Sequence, residues 1–182
     1  MPERPKVLYH FSEDPAITRF DPHVTATSDL PDAYVWALHP DKRYIYLFPR
    51  DCPRVTYYID DTTAEDDRQR FFGHTGATKV VAIETGWLQR LRETVLYRYE
   101  FAPDSFESHD GGAGYWVSRH AVLPLRVEPV GDLLDALTAT GAEVRVTPSL
   151  WPLYEAVVAS TLGFSIVRFR NAAQRPAAKE MT

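Results

Sequence analysis

Six histidines, one cysteine and two arginines four positions apart, Arg50 and Arg54, are the groups in this 182-residue chain whose types could do chemistry. His10 has the most informative setting. It stands in Leu8-Tyr9-His10-Phe11-Ser12-Glu13-Asp14-Pro15, where an apolar run that reads as a strand meets Ser12, a good N-cap. Glu13, Asp14 and Pro15 suit a helical first turn. The spacing predicts a strand that ends near His10 and a helix after it, and such junctions line the crevices where small ligands bind. The competing reading is a histidine whose ring nitrogens are satisfied inside the fold. His10, His23, His39, His74, His109 and His120 lack the i, i+4 or short-loop spacing of zinc sites, so no metal is expected. Cys52 lies between Arg50 and Arg54, which would lower a thiol pKa, yet a lone buried cysteine is usually inert and packing is the favoured reading. No Gly-x-Ser-x-Gly elbow, phosphate loop or Gly-x-Gly-x-x-Gly string is present, which removes the common hydrolase and nucleotide folds.

The elements that must position these groups follow from periodicity and turn chemistry. Residues 33–38 read as a buried strand, His39-Pro40-Asp41-Lys42 as a helix opening and 43–48 as its body. Arg50 to Arg54 is a charged connection into a strand at 55–59. A polar helix runs to Phe72, with Thr63 and Asp66 at capping-box spacing. Strands are expected at 79–85, 94–101, 115–118, 143–147 and 164–169, with helices at 86–93, 131–139 and 150–161. The stretch 121–127 is extended around Pro124, which favours an edge strand. Residues 25–32 and 102–114 read as flexible loops, and 173–182 as a disordered tail.

Composition bounds the function. With 45% hydrophobic and 13% aromatic residues the chain can bury a substantial core, and we expect one domain over 1–172. Net charge is -5, and no basic run offers duplex nucleic acid a counterion-releasing surface. A single cysteine rules out an internal disulfide and fits a reducing compartment. No apolar stretch approaches the ~20 residues of a membrane span. A soluble, cytoplasmic protein without membrane or duplex nucleic acid partners is expected.

Two resemblances add to this reading. Val35-Trp36-Ala37, the run from Phe48 to Val55, Tyr97-Arg98-Tyr99-Glu100-Phe101 and Gly114-Tyr115-Trp116-Val117-Ser118 resemble a bacterial family classed only as a domain of unknown function, over nearly everything up to Asn171. More remotely, Leu8-Tyr9-His10-Phe11-Ser12 resembles the opening strand of the ADP-ribosyltransferase and RNA 2′-phosphotransferase superfamily. That resemblance implies an ADP-ribosyltransferase-like fold, with His10 on the ribose hydroxyls beside nicotinamide and Tyr34 or Trp36 stacking the ring. It places the third motif at Tyr115 to Ser118, where Ser118 is the polar group and no acid stands; Glu100 and Glu128 are the carboxylates that could substitute. For the phosphotransferase branch, Arg50 and Arg54 could hold a pyrophosphate bidentately, with Lys42 and Arg43 adding charge. The bland alternatives are surface ion pairs for the arginines, core packing for Tyr34 and Trp36, and an ordinary strand position for Ser118.

The expectation is therefore an α+β domain with a mixed sheet and flanking helices. His10 is its candidate catalytic group, and Tyr34, Trp36, Arg50, Arg54 and Ser118 would bind a nucleotide, NAD being the candidate cofactor. The function expected is a nucleotide-handling enzyme for NAD or an ADP-ribose-like phosphate ester. The alternative is a non-catalytic ligand-binding or interaction protein on the same scaffold.

Overall fold

A computed structural model of the chain describes residues 4–24, 32–110, 112 and 114–175. Contacts divide it into two compact units, Met1–Leu47 with Thr94–Leu133, and Phe48–Glu93 with Leu134–Thr182. Each carries its own sheet.

In the first unit β1 (Leu8–Ser12), β2 (Val35–Leu38), β5 (Tyr97–Phe101), β6 (Glu107–Asp110), β7 (Tyr115–Ser118) and β8 (Arg126–Pro129) form a sheet of order β6-β7-β2-β1-β5-β8. Every neighbouring pair in it is antiparallel. Side chains two apart share a face, and on one face Leu8, Val35, Ala37, Tyr99, Phe101 and Trp116 close a core with Phe106 and Val122. The chain after β1 packs onto this core without forming the expected helix. Ser12 Oγ accepts from the Asp14 amide at 3.1 Å and Asp14 Oδ1 from that of Ala16 at 2.8 Å. These local side-chain bonds satisfy the amides as turns and compete with a helical first turn. Tyr99 then holds the segment, its hydroxyl donating to Asp14 O at 2.6 Å and accepting from Ile17 N at 3.1 Å.

The junction after β2 does turn, as a 3-10 helix at Pro40–Ile45 with the His39 ring accepting from Asp41 N at 3.2 Å. The loop expected over 102–114 instead contains β6, whose polar residues gave no apolar alternation but pair with β7 through a register shift between Ser108 and Asp110. The expected extended stretch around Pro124 leads into β8, an outermost strand of this sheet. The stretch 25–31 lies outside the described residues.

In the second unit β3 (Arg54–Tyr58), β4 (Lys79–Glu84), β9 (Glu143–Thr147) and β10 (Gly163–Val167) lie in the order β10-β3-β4-β9, with only β4 and β9 parallel. The helices are α1 (Glu65–Phe72), α2 (Leu88–Glu93), α3 (Leu133–Thr138) and α4 (Trp151–Val158). Phe71 and Phe72 of α1 and Val157 of α4, with Leu150 and Leu162, pack on Val55, Tyr57, Val80 and Ala82 of the strands. The capping box anticipated at Thr63 and Asp66 does not form. Thr161 takes its place: its hydroxyl accepts from Ala64 N at 2.8 Å, while Asp67 accepts from the Thr161 amide and hydroxyl, each at 2.7 Å. Those bonds hold the Asp67 carboxyl below the usual carboxylate range.

Packing continues past β10. Phe169 stacks on Tyr154 at 4.4 Å, Trp151 Nε1 donates to Ala173 O at 2.8 Å, and the Ala173 amide donates to Glu84 at 2.9 Å. The expected tail thus begins with residues tied to the fold, and 176–182 lie outside the described residues. The α+β class holds, but the strands divide between an antiparallel and a mixed sheet where one mixed sheet was expected, because which strands pair is set by contacts remote in sequence. Among the described residues no helix is long and apolar enough to cross a membrane.

Candidate functional site

His10 is the middle residue of β1, not its end, and its partly buried imidazole lies on the core face. The ring meets Phe20 edge-on at 4.8 Å and Phe101 at 6.1 Å. Its Nδ1 is 3.1 Å from the Trp36 carbonyl oxygen. A carbonyl only accepts, so Nδ1 carries a proton and donates it to the Trp36 oxygen. This contact explains a feature of the sheet. β1 pairs with β5 at five positions but with β2 only at Tyr9–Leu38, and beyond that pair the imidazole takes the carbonyl that a ladder amide would otherwise meet.

The Trp36 side chain goes to the other face. Its strand neighbours Val35 and Ala37 belong to the core, whereas the indole packs edge-to-face against His109 of β6 at 5.5 Å and Tyr115 of β7 at 5.8 Å. Tyr46 completes this corner, its ring 6.1 Å from that of Tyr115 and its hydroxyl 3.0 Å from the Tyr115 hydroxyl. Trp36, Tyr46 and Tyr115 are partly exposed and His109 is exposed. The arrangement offers a ring-stacking surface with hydroxyl, imidazole and indole N–H groups around it. Sequence reading found Trp36 but not His109 or Tyr46, since the polar run 107–110 gave no strand signal and Tyr46 seemed part of a helix body.

The same face carries an ion-pair quartet. Arg98 reaches Glu100 at 3.0 Å and Glu128 at 2.7 Å, and Arg126 reaches Glu100 at 2.9 Å and Glu128 at 3.1 Å. The Arg98 guanidinium also sits 4.9 Å from the Tyr9 ring centre. Glu100 and Glu128, the carboxylates considered as stand-ins for a third-motif acid, are both engaged here.

Tyr34 is buried beneath Arg119, whose guanidinium lies 4.9 Å from the ring and pairs with Asp32 at 2.7 Å. That pairing holds the Asp32 carboxyl low. Ser118 is buried and closes its own turn, accepting from His120 N at 3.2 Å and donating to His120 O at 3.3 Å. Arg50 and Arg54 belong to the second unit, whereas His10, Tyr34, Trp36 and Ser118 belong to the first. Arg54 is 2% exposed, donates to Cys52 O at 2.9 Å and lies 5.1 Å from the Phe48 ring, an interior role unlike the solvated ion pair anticipated for it. The exposed Arg50 holds Arg168 through its carbonyl at 3.2 Å. Burial pushes the Cys52 thiol up to about 12, against the pull of Arg54, so it is a packing residue and no nucleophile at neutral pH.

The model of a family of unknown function, DUF6886, matches residues 9–172. The chain belongs to that family. No curated protein and no solved structure matches it. The match runs from within β1 past β10 of this DUF6886 protein and so takes in both units. A surface hollow of about 280 Å³ in the second unit, lined by Arg68, Gln69, Phe72, Thr75 and Thr78 among others, contains none of the anticipated site residues. Among the described residues no group of three or more His, Cys, Asp or Glu side chains is placed to hold a metal ion.

Proposed function

We propose that this DUF6886 protein binds a small molecule with a planar ring on the aromatic corner of its first unit, and that a nucleotide such as NAD or ADP-ribose is the ligand class. One observation carries the reading: the partly exposed Trp36 indole is braced edge-on by Tyr115 and His109, leaving an aromatic surface whose shape costs little to preserve on binding. The nucleotide class comes from the resemblance of Leu8 to Ser12 to the ADP-ribosyltransferase superfamily. Binding without catalysis is the favoured form, because the His10 imidazole occupies the opposite face of the sheet and spends its Nδ1 proton on the Trp36 backbone.

Titration of the full chain with NAD and with ADP-ribose, followed by calorimetry and tryptophan fluorescence, tests the proposal. Saturable binding that Trp36→Ala abolishes, with unchanged circular dichroism, is the expected result; no heat and no quenching at millimolar ligand overturns it. The partly buried His10 ring is held in one orientation by the Trp36 carbonyl, which favours an enzymatic second reading. NAD consumption that disappears in His10→Gln, while the fold persists, would select that reading over silent binding.

A further inference from the structure

The edge strand β8 and the segment leading into it present apolar residues to solvent. Leu123 is 67% exposed, Leu125 64% and Val127 41%, with Val95 nearby in sequence to β5 at 58%. Edge strands leave a row of backbone groups available for pairing, and proteins usually blunt them with charge, proline or a covering segment. Here Pro129 and the charges of Arg126 and Glu128 are present, but their placement does not blunt the middle of the strand. Val130 N donates to Leu96 O at 2.8 Å, and antiparallel ladders alternate, so Glu128 and Arg126 direct their backbone groups at β5 while Val127 directs its N–H and C=O outward. Pro129, in the same phase as Val127, has no N–H to leave unmet. Leu125, just before the strand, turns its N–H back to Glu100 O at 2.7 Å.

The geometry points to a second copy of this chain as the partner of that edge, paired antiparallel about a two-fold axis at Val127. Such an interface is isologous, so the strand must complement itself. About this axis Val127 faces Val127 of the second copy, Arg126 faces Glu128 and Glu128 faces Arg126. The charges already alternate within one chain, Arg98 against Glu128 and Glu100 against Arg126. Pairing at Val127 continues that alternation across the axis, giving rows of Arg98, Glu128, then Arg126 and Glu100 of the second copy. Moving the axis one residue either way sets Arg126 against Arg126 or Glu128 against Glu128, and like charges directly opposite destabilise a sheet. On the opposite face Val127 meets its own copy. The charge pattern thus selects one register, and the exposed aliphatic groups supply the apolar surface to be buried.

Sedimentation velocity on the full chain, from micromolar to several hundred micromolar, should show a reversible shift from the 20.7 kDa monomer toward twice that mass. Val127→Lys, which opposes two ammonium groups on the axis, should abolish the shift while the urea midpoint measured at low concentration stays unchanged. Val127→Cys gives a readout independent of association strength. Hydrogen-bonded antiparallel partners have Cα atoms about 5.5 Å apart, within the span of a disulfide, so oxidation should yield a covalent dimer, whereas Ser108→Cys on the β6 edge should yield none. A chain that stays monomeric throughout, a dimer that survives Val127→Lys, or equal cross-linking at both positions overturns the proposal.

Discussion

Replacing His10 by alanine separates a histidine that holds the sheet from one that serves a ligand. The substitution removes a hydrogen bond to a backbone carbonyl, contributing about 0.5–1.5 kcal/mol, and leaves the Trp36 oxygen to find water at the break between β1 and β2. It also removes the edge-on contact with Phe20 at 4.8 Å, a ring pair that contributes about 0.5–1.5 kcal/mol beyond area burial. With partial loss of ring burial the expected cost is about 2–3 kcal/mol. Urea denaturation followed by circular dichroism reads this as a fall in midpoint of about 1 M, given slopes of about 1–3 kcal/mol/M for chains of modest size. His10→Asn should recover part of it, because the amide N–H of asparagine can occupy the position of Nδ1–H without replacing the ring. An alanine variant with an unchanged midpoint would refute the assignment of His10 to the β1–β2 junction, and with lost nucleotide turnover it would move the residue into catalysis.

Three further outcomes follow from side chains elsewhere. Because burial raises the Cys52 thiol from 9.0 to about 12, the folded state favours the protonated form; that contribution is complete below the unfolded pKa and is lost as pH rises above 9, at a limiting slope of about 1.4 kcal/mol per pH unit. Wild-type stability should therefore fall more steeply above pH 9 than that of Cys52→Ala, and parallel pH profiles would contradict the burial. Glu84 accepts from the amides of Leu150 at 3.1 Å and Ala173 at 2.9 Å, so Glu84→Gln, which turns an amino group toward one of them, should cost about 2 kcal/mol and accelerate hydrogen exchange at Ala173; an unaltered exchange rate there would rule out the clamp. Gly114 has φ +76° and a Cβ there would lie 2.5 Å from Lys42 Cγ, so Gly114→Ala should lower stability by about 1–2 kcal/mol in thermal melts, and a neutral effect would show that the turn beside the aromatic corner can relax.

Much of the secondary structure was legible because period-2 alternation and β-branched runs act locally. Glu143–Thr147 and Tyr115–Ser118 fall where their patterns place them, and β4 lies within one residue of its expectation. The helix after β1 was misread because Ser12 and Asp14 suit an N-cap and a turn equally well, and Tyr99, far along the chain, favours the turn. β6 was missed because a polar edge segment carries no burial signal.

The chain's own order of residues determined that His10 and Trp36 stand on strands and that Pro124 belongs near an edge. Only the tertiary structure decided that the imidazole and the indole occupy opposite faces, that His10 meets the Trp36 carbonyl and that Arg54 is interior. The physical reason is that alternation sets which residues of one strand share a face, whereas pairing and register between distant strands decide what each face meets.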